Sequence, residues 1–232
     1  MTAQISIQSS QTLCSGDDTL DALVGTGLPR NLVTVVCGPP GSGKTVFCEQ
    51  FLFANATPER PGVYFSTLAE PTDKLLRFAQ SFDFFDAEAI GSAILYEDLY
   101  PALDRGDIDG AIAQITDCVA RQNPSLIVVD SLDASLDQWS RGAIGRLLAR
   151  ISAVSSQVEL SSFWIAESST DELASAALIG LADAVVRLSS PATDPDGLST
   201  IEIVKLRGHS HVSGRHPMSI DHRGLRVAAA PG

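Results

Sequence analysis

Apolar positions along this chain follow two rhythms, and the two rhythms alternate. Leu32 to Cys37 and Leu126 to Val129 are continuous apolar runs of strand length. Runs without polar alternation predict parallel strands covered on both faces. Gly62 to Thr67 and Ser162 to Ala166 read as further strands. Helical spacing predicts helices over 44–55, over 72–82 with Leu75, Leu76, Ala79 and Phe82, and over 107–122 with Ile108, Ile112, Ile115 and Val119 on one face. A longer helix over 141–158 carries Ile144, Leu147, Leu148, Ile151, Val154 and Val158 as its stripe.

Two stretches at the chain's ends follow other rules. Ser15-x-x-Asp18 matches a capping box opening a short helix to Val24, which Gly25 to Gly27 ends. Ala184 to Ser189 and Leu198 to Leu206 read as hairpin strands around Asp194-Pro195-Asp196-Gly197, and Arg215 to Ile220 and Leu225 to Ala228 complete the edge. Strands and helices alternate first and antiparallel strands finish. That order predicts an α/β fold in three layers, with a mostly parallel central sheet and a C-terminal antiparallel β region.

Composition narrows the picture. At 232 residues with 44% hydrophobic content, the chain suits one α/β domain, read here as 15–232 after a tail of 1–14. The segment from Met1 to Gln11 is polar, and no apolar stretch approaches bilayer-spanning length. A soluble, cytoplasmic protein is expected, with no membrane contact. Cys14, Cys37, Cys48 and Cys118 show no CxxC spacing, and two of them fall in apolar elements, so buried thiols are expected. The net charge of −12 argues against nucleic acid or anionic lipid as a general partner, while leaving room for a local basic channel.

Chemistry concentrates in one loop. Gly38-Pro39-Pro40-Gly41-Ser42-Gly43-Lys44-Thr45 fits G-x-x-x-x-G-K-[ST] between a buried strand and a helix. Its glycines let backbone N–H groups turn toward phosphate oxygens, and the helix start adds its positive dipole end. Lys44 is placed to bridge the β- and γ-phosphates of ATP, and the Thr45 hydroxyl to ligate Mg²⁺. Asp130 ends the Leu126–Val129 run, where a carboxylate can hold Mg²⁺ through water; the alternative is an ordinary strand-end aspartate. Ser131 adjoins it. Glu70, in Leu68-Ala69-Glu70-Pro71, is the candidate to polarise an attacking water, against a plain reading as a solvated loop residue. Lysine occurs only at 44, 74 and 205.

Taken together, these residues resemble the KaiC-like branch of the RecA/RadA ATPases from about Ser15 to Val227. The resemblance rests on Gly25-x-Gly27-Leu28-Pro29 leading into the phosphate loop, on Glu70-Pro71-x-x-Lys74-Leu75-Leu76, and on Leu126 to Ser131. Its most specific piece is Lys205-Leu206-Arg207-Gly208-His209-Ser210-His211, followed by Gly214 and Pro217. It implies a RecA-like P-loop fold and a homo-oligomeric ring, often a hexamer, with ATP at each subunit boundary. Lys205, Leu206 and Arg207 of one subunit would reach the nucleotide of the next, the two cations acting in trans on its γ-phosphate. His209 and His211 stay open between phosphate or interface contact, a metal pair and plain surface. In sequence, the nearest acid to the two cations is Glu202.

Two departures qualify that expectation. The family usually carries a Glu-Glu pair after the second strand, and here the first of the two is Ala69, which predicts slow hydrolysis. The stretch Ile179-Gly180-Leu181-Ala182-Asp183 lacks the adjacent hydroxyls of the clock autokinase, so autophosphorylation is not expected. The reading is therefore an ATP-dependent regulatory or scaffolding module with an unidentified protein partner. The rivals are a RadA-like recombinase paralogue holding DNA and a metabolic P-loop kinase. Trp139 and Trp164 read as packing residues rather than base-stacking platforms, and Asp133 and Asp137 as a solvated acidic face.

Overall fold

The computed structural model describes residues 11–68, 72–131, 141–167, 180–194 and 196–228, with backbone only for Arg141 to Ile144, Leu148 and Ser156. In chain order the strands and helices are β1 (Thr12–Leu13), α1 (Asp18–Ala22), β2 (Leu28–Pro29), β3 (Val33–Gly38), α2 (Lys44–Asn55) and β4 (Gly62–Ser66). There follow α3 (Thr72–Ala79), β5 (Ile94–Asp98), α4 (Tyr100–Asp104), α5 (Ile108–Gln122) and β6 (Leu126–Asp130). The rest are α6 (Arg141–Val158), β7 (Ser161–Glu167), β8 (Ala184–Ser189), β9 (Thr200–Leu206), β10 (Arg215–Asp221) and β11 (Gly224–Val227).

Nine strands form one sheet in the order β11-β10-β9-β8-β3-β7-β6-β4-β5. From β8 to β5 every pairing is parallel, and β9, β10 and β11 add on antiparallel. This is the expected α/β sheet with its antiparallel end. Side chains alternate across it, which builds two cores from single strands. Ile127 and Val129 of β6 join Ile115, Val119, Leu147 and Ile151 from α5 and α6 on one face. Leu126 and Val128 join Phe47, Phe51 and Leu52 of α2 on the other. Burying each such side chain contributes about 1.5–3 kcal/mol. Three layers result. Trp164 is fully buried in β7 and donates its indole N–H to Ser162 Oγ at 3.0 Å, so it packs rather than stacks on bases. Trp139, Asp133 and Asp137 lie outside the described residues.

Several boundaries differ from expectation. The cap of α1 is Asp17, whose carboxylate accepts from Leu20 N–H at 2.9 Å; Ser15 instead donates its own N–H to Asp21 Oδ1 at 2.8 Å. The helix over 72–82 ends at Ala79. α5 starts where expected because Asp107 accepts from Gly110 N–H at 2.8 Å, and it stops at Asn123, which adopts a left-handed φ of 47°. β5 and α4 had no counterpart in the sequence reading. β5 is an edge strand, half-buried beyond Ile94 and ending in Glu97 and Asp98, so its apolar run is too short to stand out. α4 opens with Pro101 in its first turn, where proline's fixed φ suits a helix start. Cys37, Cys48 and Cys118 are buried free thiols, as expected, and Cys14 is exposed.

Candidate functional site

The loop 38–45 joins the carboxyl end of β3 to the amino end of α2. It must pass close to other backbone. A Cβ on Gly38 would collide with the Leu188 carbonyl oxygen and the Ser42 hydroxyl. Gly43 caps α2 with φ +92°, a region L side chains avoid, and a Cβ there would meet Ile220 Cδ1. No side chain caps the first turn of α2, so its N–H groups are left to another acceptor.

Three observations fit a phosphate group in this loop. Lys44 is 8% exposed, and its ammonium donates to the carbonyls of Gly38 at 2.8 Å and Pro39 at 2.9 Å, folded into the space the loop encloses. The Ser42 hydroxyl is buried without a hydrogen-bond partner, and a buried polar atom of that kind calls for an acceptor or donor. Gly41 also takes positive φ, at 74°, turning the backbone around the same space.

Asp130 closes the site from β6. Its Oδ2 accepts from Thr45 Oγ1 at 2.7 Å and from the Tyr64 hydroxyl. Burial, then the Asp130 charge, pushes the Tyr64 phenol well above its ordinary value, so it stays a donor. The tyrosine ring in turn packs on Tyr96, centroids 5.3 Å apart, and the Tyr96 hydroxyl donates to Glu49 Oε1 at 3.3 Å. Glu49 is 3% exposed. Burial raises its carboxyl to about 8, against the hydrogen bond from Tyr96, which lowers it. Thr45, Glu49, Tyr64, Asp130 and Glu167, at the end of β7, line one cleft of about 530 Å³, rimmed by Leu75 and Phe78 of α3.

Sequence reasoning missed Glu49, Tyr64, Tyr96 and Glu167. The signal for one of them was present. α2 is apolar all round from Phe47 to Leu52 except for Glu49 and Gln50, and Glu49 stands four residues after Thr45, on the same helix face. Gln50 is structural: it donates to Leu225 O at 3.3 Å and accepts from Leu225 N–H at 2.8 Å, fixing β11 to α2.

The second set of predicted residues lies elsewhere. β9 runs antiparallel to β8, with Leu206 opposite Ala184, and Ala184 is level with Thr34 near the start of β3. Lys205, Leu206 and Arg207 therefore sit at the amino edge of the parallel strands, whereas Gly38 ends β3 at the carboxyl edge. From the level of Leu206 to Gly38 is about 13 Å along the strand. Lys205 Nζ donates to Ala182 O at 2.6 Å and Gly180 O at 3.4 Å. Arg207, whose side chain is 77% exposed, pairs with Asp183 Oδ1 at 3.3 Å. The nearest acid in sequence, Glu202, pairs with Arg187 instead. His209 is exposed, His211 is half-buried, and both follow the end of β9 in a turn rather than on a strand. Val212 N–H donates to Leu23 O at 2.8 Å, anchoring this loop to the end of α1. Glu70, with Ala69 and Pro71, lies outside the described residues.

A profile of the KaiC ATPase family matches residues 14–231. The chain belongs to the KaiC family of ATPases. This makes it a P-loop nucleotide-binding protein, and the KaiC profile spans both the phosphate loop and the Lys205–His211 segment. The circadian clock oscillator protein KaiC of Parathermosynechococcus lividus is 29% identical over 215 residues, covering 87% of this chain and 39% of that protein. KaiC of Synechococcus elongatus is 26% identical over 238 residues, covering 95% of this chain and 44% of its own length. The chain thus spans less than half the length of these KaiC relatives. The crystal structure of a KaiC-like protein from the hyperthermophilic archaeon Pyrococcus horikoshii shares the fold, with a TM-score of 0.77 at 23% identity over 94% of this chain and 99% of that one. Among the described residues, no helix is long and apolar enough to cross a membrane.

Proposed function

We propose that this chain binds ATP with Mg²⁺ at the loop 38–45 and assembles through it, as a nucleotide-dependent regulatory or scaffolding module. Lys44, the loop N–H groups and Ser42 would hold the phosphates, and Thr45 with Asp130 would hold the metal. Bound Mg²⁺ would supply charge that offsets the triphosphate and keeps it in register. Tyr64 orients Asp130 by donating to the same oxygen that accepts from Thr45.

The observation that carries the assembly is the separation of the two cation sets. Lys205 and Arg207 stand toward the amino edge of the sheet, whereas Lys44 stands beyond its carboxyl edge, so the two sets open onto different surfaces. In a head-to-tail ring that edge would face the next subunit's phosphate loop, and the Arg207 side chain is 77% exposed. Asp183 holds its guanidinium while that phosphate is absent. Hydrolysis is slow in this reading: Ala69 stands where the family's first glutamate would be, and Glu70 alone orients water. With Ile179 to Asp183 lacking hydroxyls, the chain does not phosphorylate itself there. The family match does not favour the recombinase alternative.

Sedimentation of the purified protein with and without ATP-Mg²⁺, paired with phosphate release, tests this reading. Larger species with ATP and slow release are expected. Lys44→Ala should weaken ATP binding by about 100-fold or more, the worth of a buried charge-assisted contact; unchanged affinity by calorimetry would overturn the assignment.

A further inference from the structure

A second depression opens at the amino edge of the sheet, away from the phosphate loop. Its volume is about 660 Å³, and its wall runs from Thr12 and Gly27 across Arg30 and Asn31 to Arg60, with His209 on the rim. Its charged lining is two guanidiniums and one carboxylate, Glu159, whose side chain is 79% exposed. A cationic cleft runs against the net charge of −12.

The two arginines are held differently. Arg60 Nη2 donates to the carbonyls of Pro124, Val158 and Glu159 at 3.3, 3.3 and 3.0 Å, and its Nη1 lies 3.6 Å from Glu159 Oε2. Arg60 Nε is buried and has no hydrogen-bond partner. Arg30 Nε donates to Thr12 O at 3.2 Å, and no carboxylate among the described residues pairs with its terminal nitrogens. Burial first, and then the neighbouring Arg60 charge, lowers the Arg30 pKa. Glu159 offsets part of that charge from beside Arg60, and the cleft keeps one cation in excess, which an anion on the Arg30 side would balance. Asn31, exposed beside them, offers an amide donor. Guanidinium forks match the oxygens of phosphate in plane and spacing.

We propose that this cleft binds a small phosphate-bearing molecule, taken by the terminal nitrogens of Arg30, with Arg60 adding charge from behind. The site is independent of the phosphate loop and does not rest on the reading of that loop.

The test uses full-length Lys44→Ala protein, in which the phosphate loop is disabled. Inorganic phosphate, pyrophosphate and AMP are each titrated by calorimetry. Saturable binding of at least one probe is expected, and which of them binds distinguishes a free oxyanion from a nucleotide ligand. Adding Arg30→Gln should weaken that binding roughly tenfold or more, and Arg30→Lys should fall between, since it keeps the charge without the fork. Arg30 is preferred over Arg60 because Arg60 also ties three carbonyls together; unchanged circular dichroism confirms folding of each variant. No saturable binding by any probe, or binding indifferent to Arg30→Gln, would overturn the proposal.

Discussion

Thr45 Oγ1 lies 2.7 Å from Asp130 Oδ2, joining the first turn of α2 to the end of β6 across 85 residues of sequence. The bond aligns the two groups proposed to hold magnesium before any metal arrives. Thr45→Val keeps the shape and removes the donor. The metal-dependent part of ATP affinity should fall about tenfold, the worth of one contact to a charged group, while affinity in EDTA changes little. Calorimetry with and without Mg²⁺ separates the two; equal losses in both conditions would mean that Thr45 only supports the loop.

Glu49 makes stability depend on pH. Burial pushes its folded carboxyl up to about 8, from about 4.5 for the free group. Between those values the folded state holds a proton that the unfolded chain has lost. Stability therefore falls as pH rises through that window, at up to about 1.4 kcal/mol per pH unit. Glu49→Gln keeps the neutral shape and does not titrate. Urea denaturation at pH 5.5 and pH 8 should show the parent losing a few kcal/mol relative to the variant. Parallel profiles would mean that Glu49 is ionised in the folded protein.

How much of this site was legible follows from where its residues come from. Lys44, Thr45 and Asp130 were readable because strand-loop-helix chemistry is local and a carboxylate ending an apolar run has few bland explanations. Glu49 was not, because a glutamate within a helix is ordinarily solvated, and its hydrogen-bond partner Tyr96 comes from a separate strand. Asp183 is 24 residues from Arg207, and the antiparallel return of β9 that brings them together is a tertiary event. The parallel sheet and its antiparallel end were visible in the alternation of runs. β5 was not, since an edge strand needs only one apolar face.

The proposed role of Glu70 makes turnover depend on the segment after β4. Glu70→Gln should suppress phosphate release by about 10²–10⁴ while leaving ATP binding intact, the usual loss of general-base assistance. Ala69→Glu should raise release above the parent by restoring a second carboxylate. If Glu70→Gln releases phosphate at the parental rate, another group orients the water, and Glu167, which lines the cleft with Thr45 and Asp130, becomes the next to substitute.

The central claim is that Arg207 serves the nucleotide of a neighbouring subunit, and a mixing experiment tests it most directly. Lys44→Ala lacks a working phosphate loop but retains Arg207; Arg207→Ala has the reverse defect. Each variant alone should stay monomeric with ATP-Mg²⁺, because every boundary it could form lacks one half. Mixed together they can build a single intact boundary, from the phosphate loop of one and the arginine of the other. Sedimentation of the mixture with ATP-Mg²⁺ should show a dimer that neither variant forms by itself and that disappears without nucleotide. A mixture that remains monomeric while the parent assembles would contradict the account, as would a parent that stays monomeric at saturating ATP.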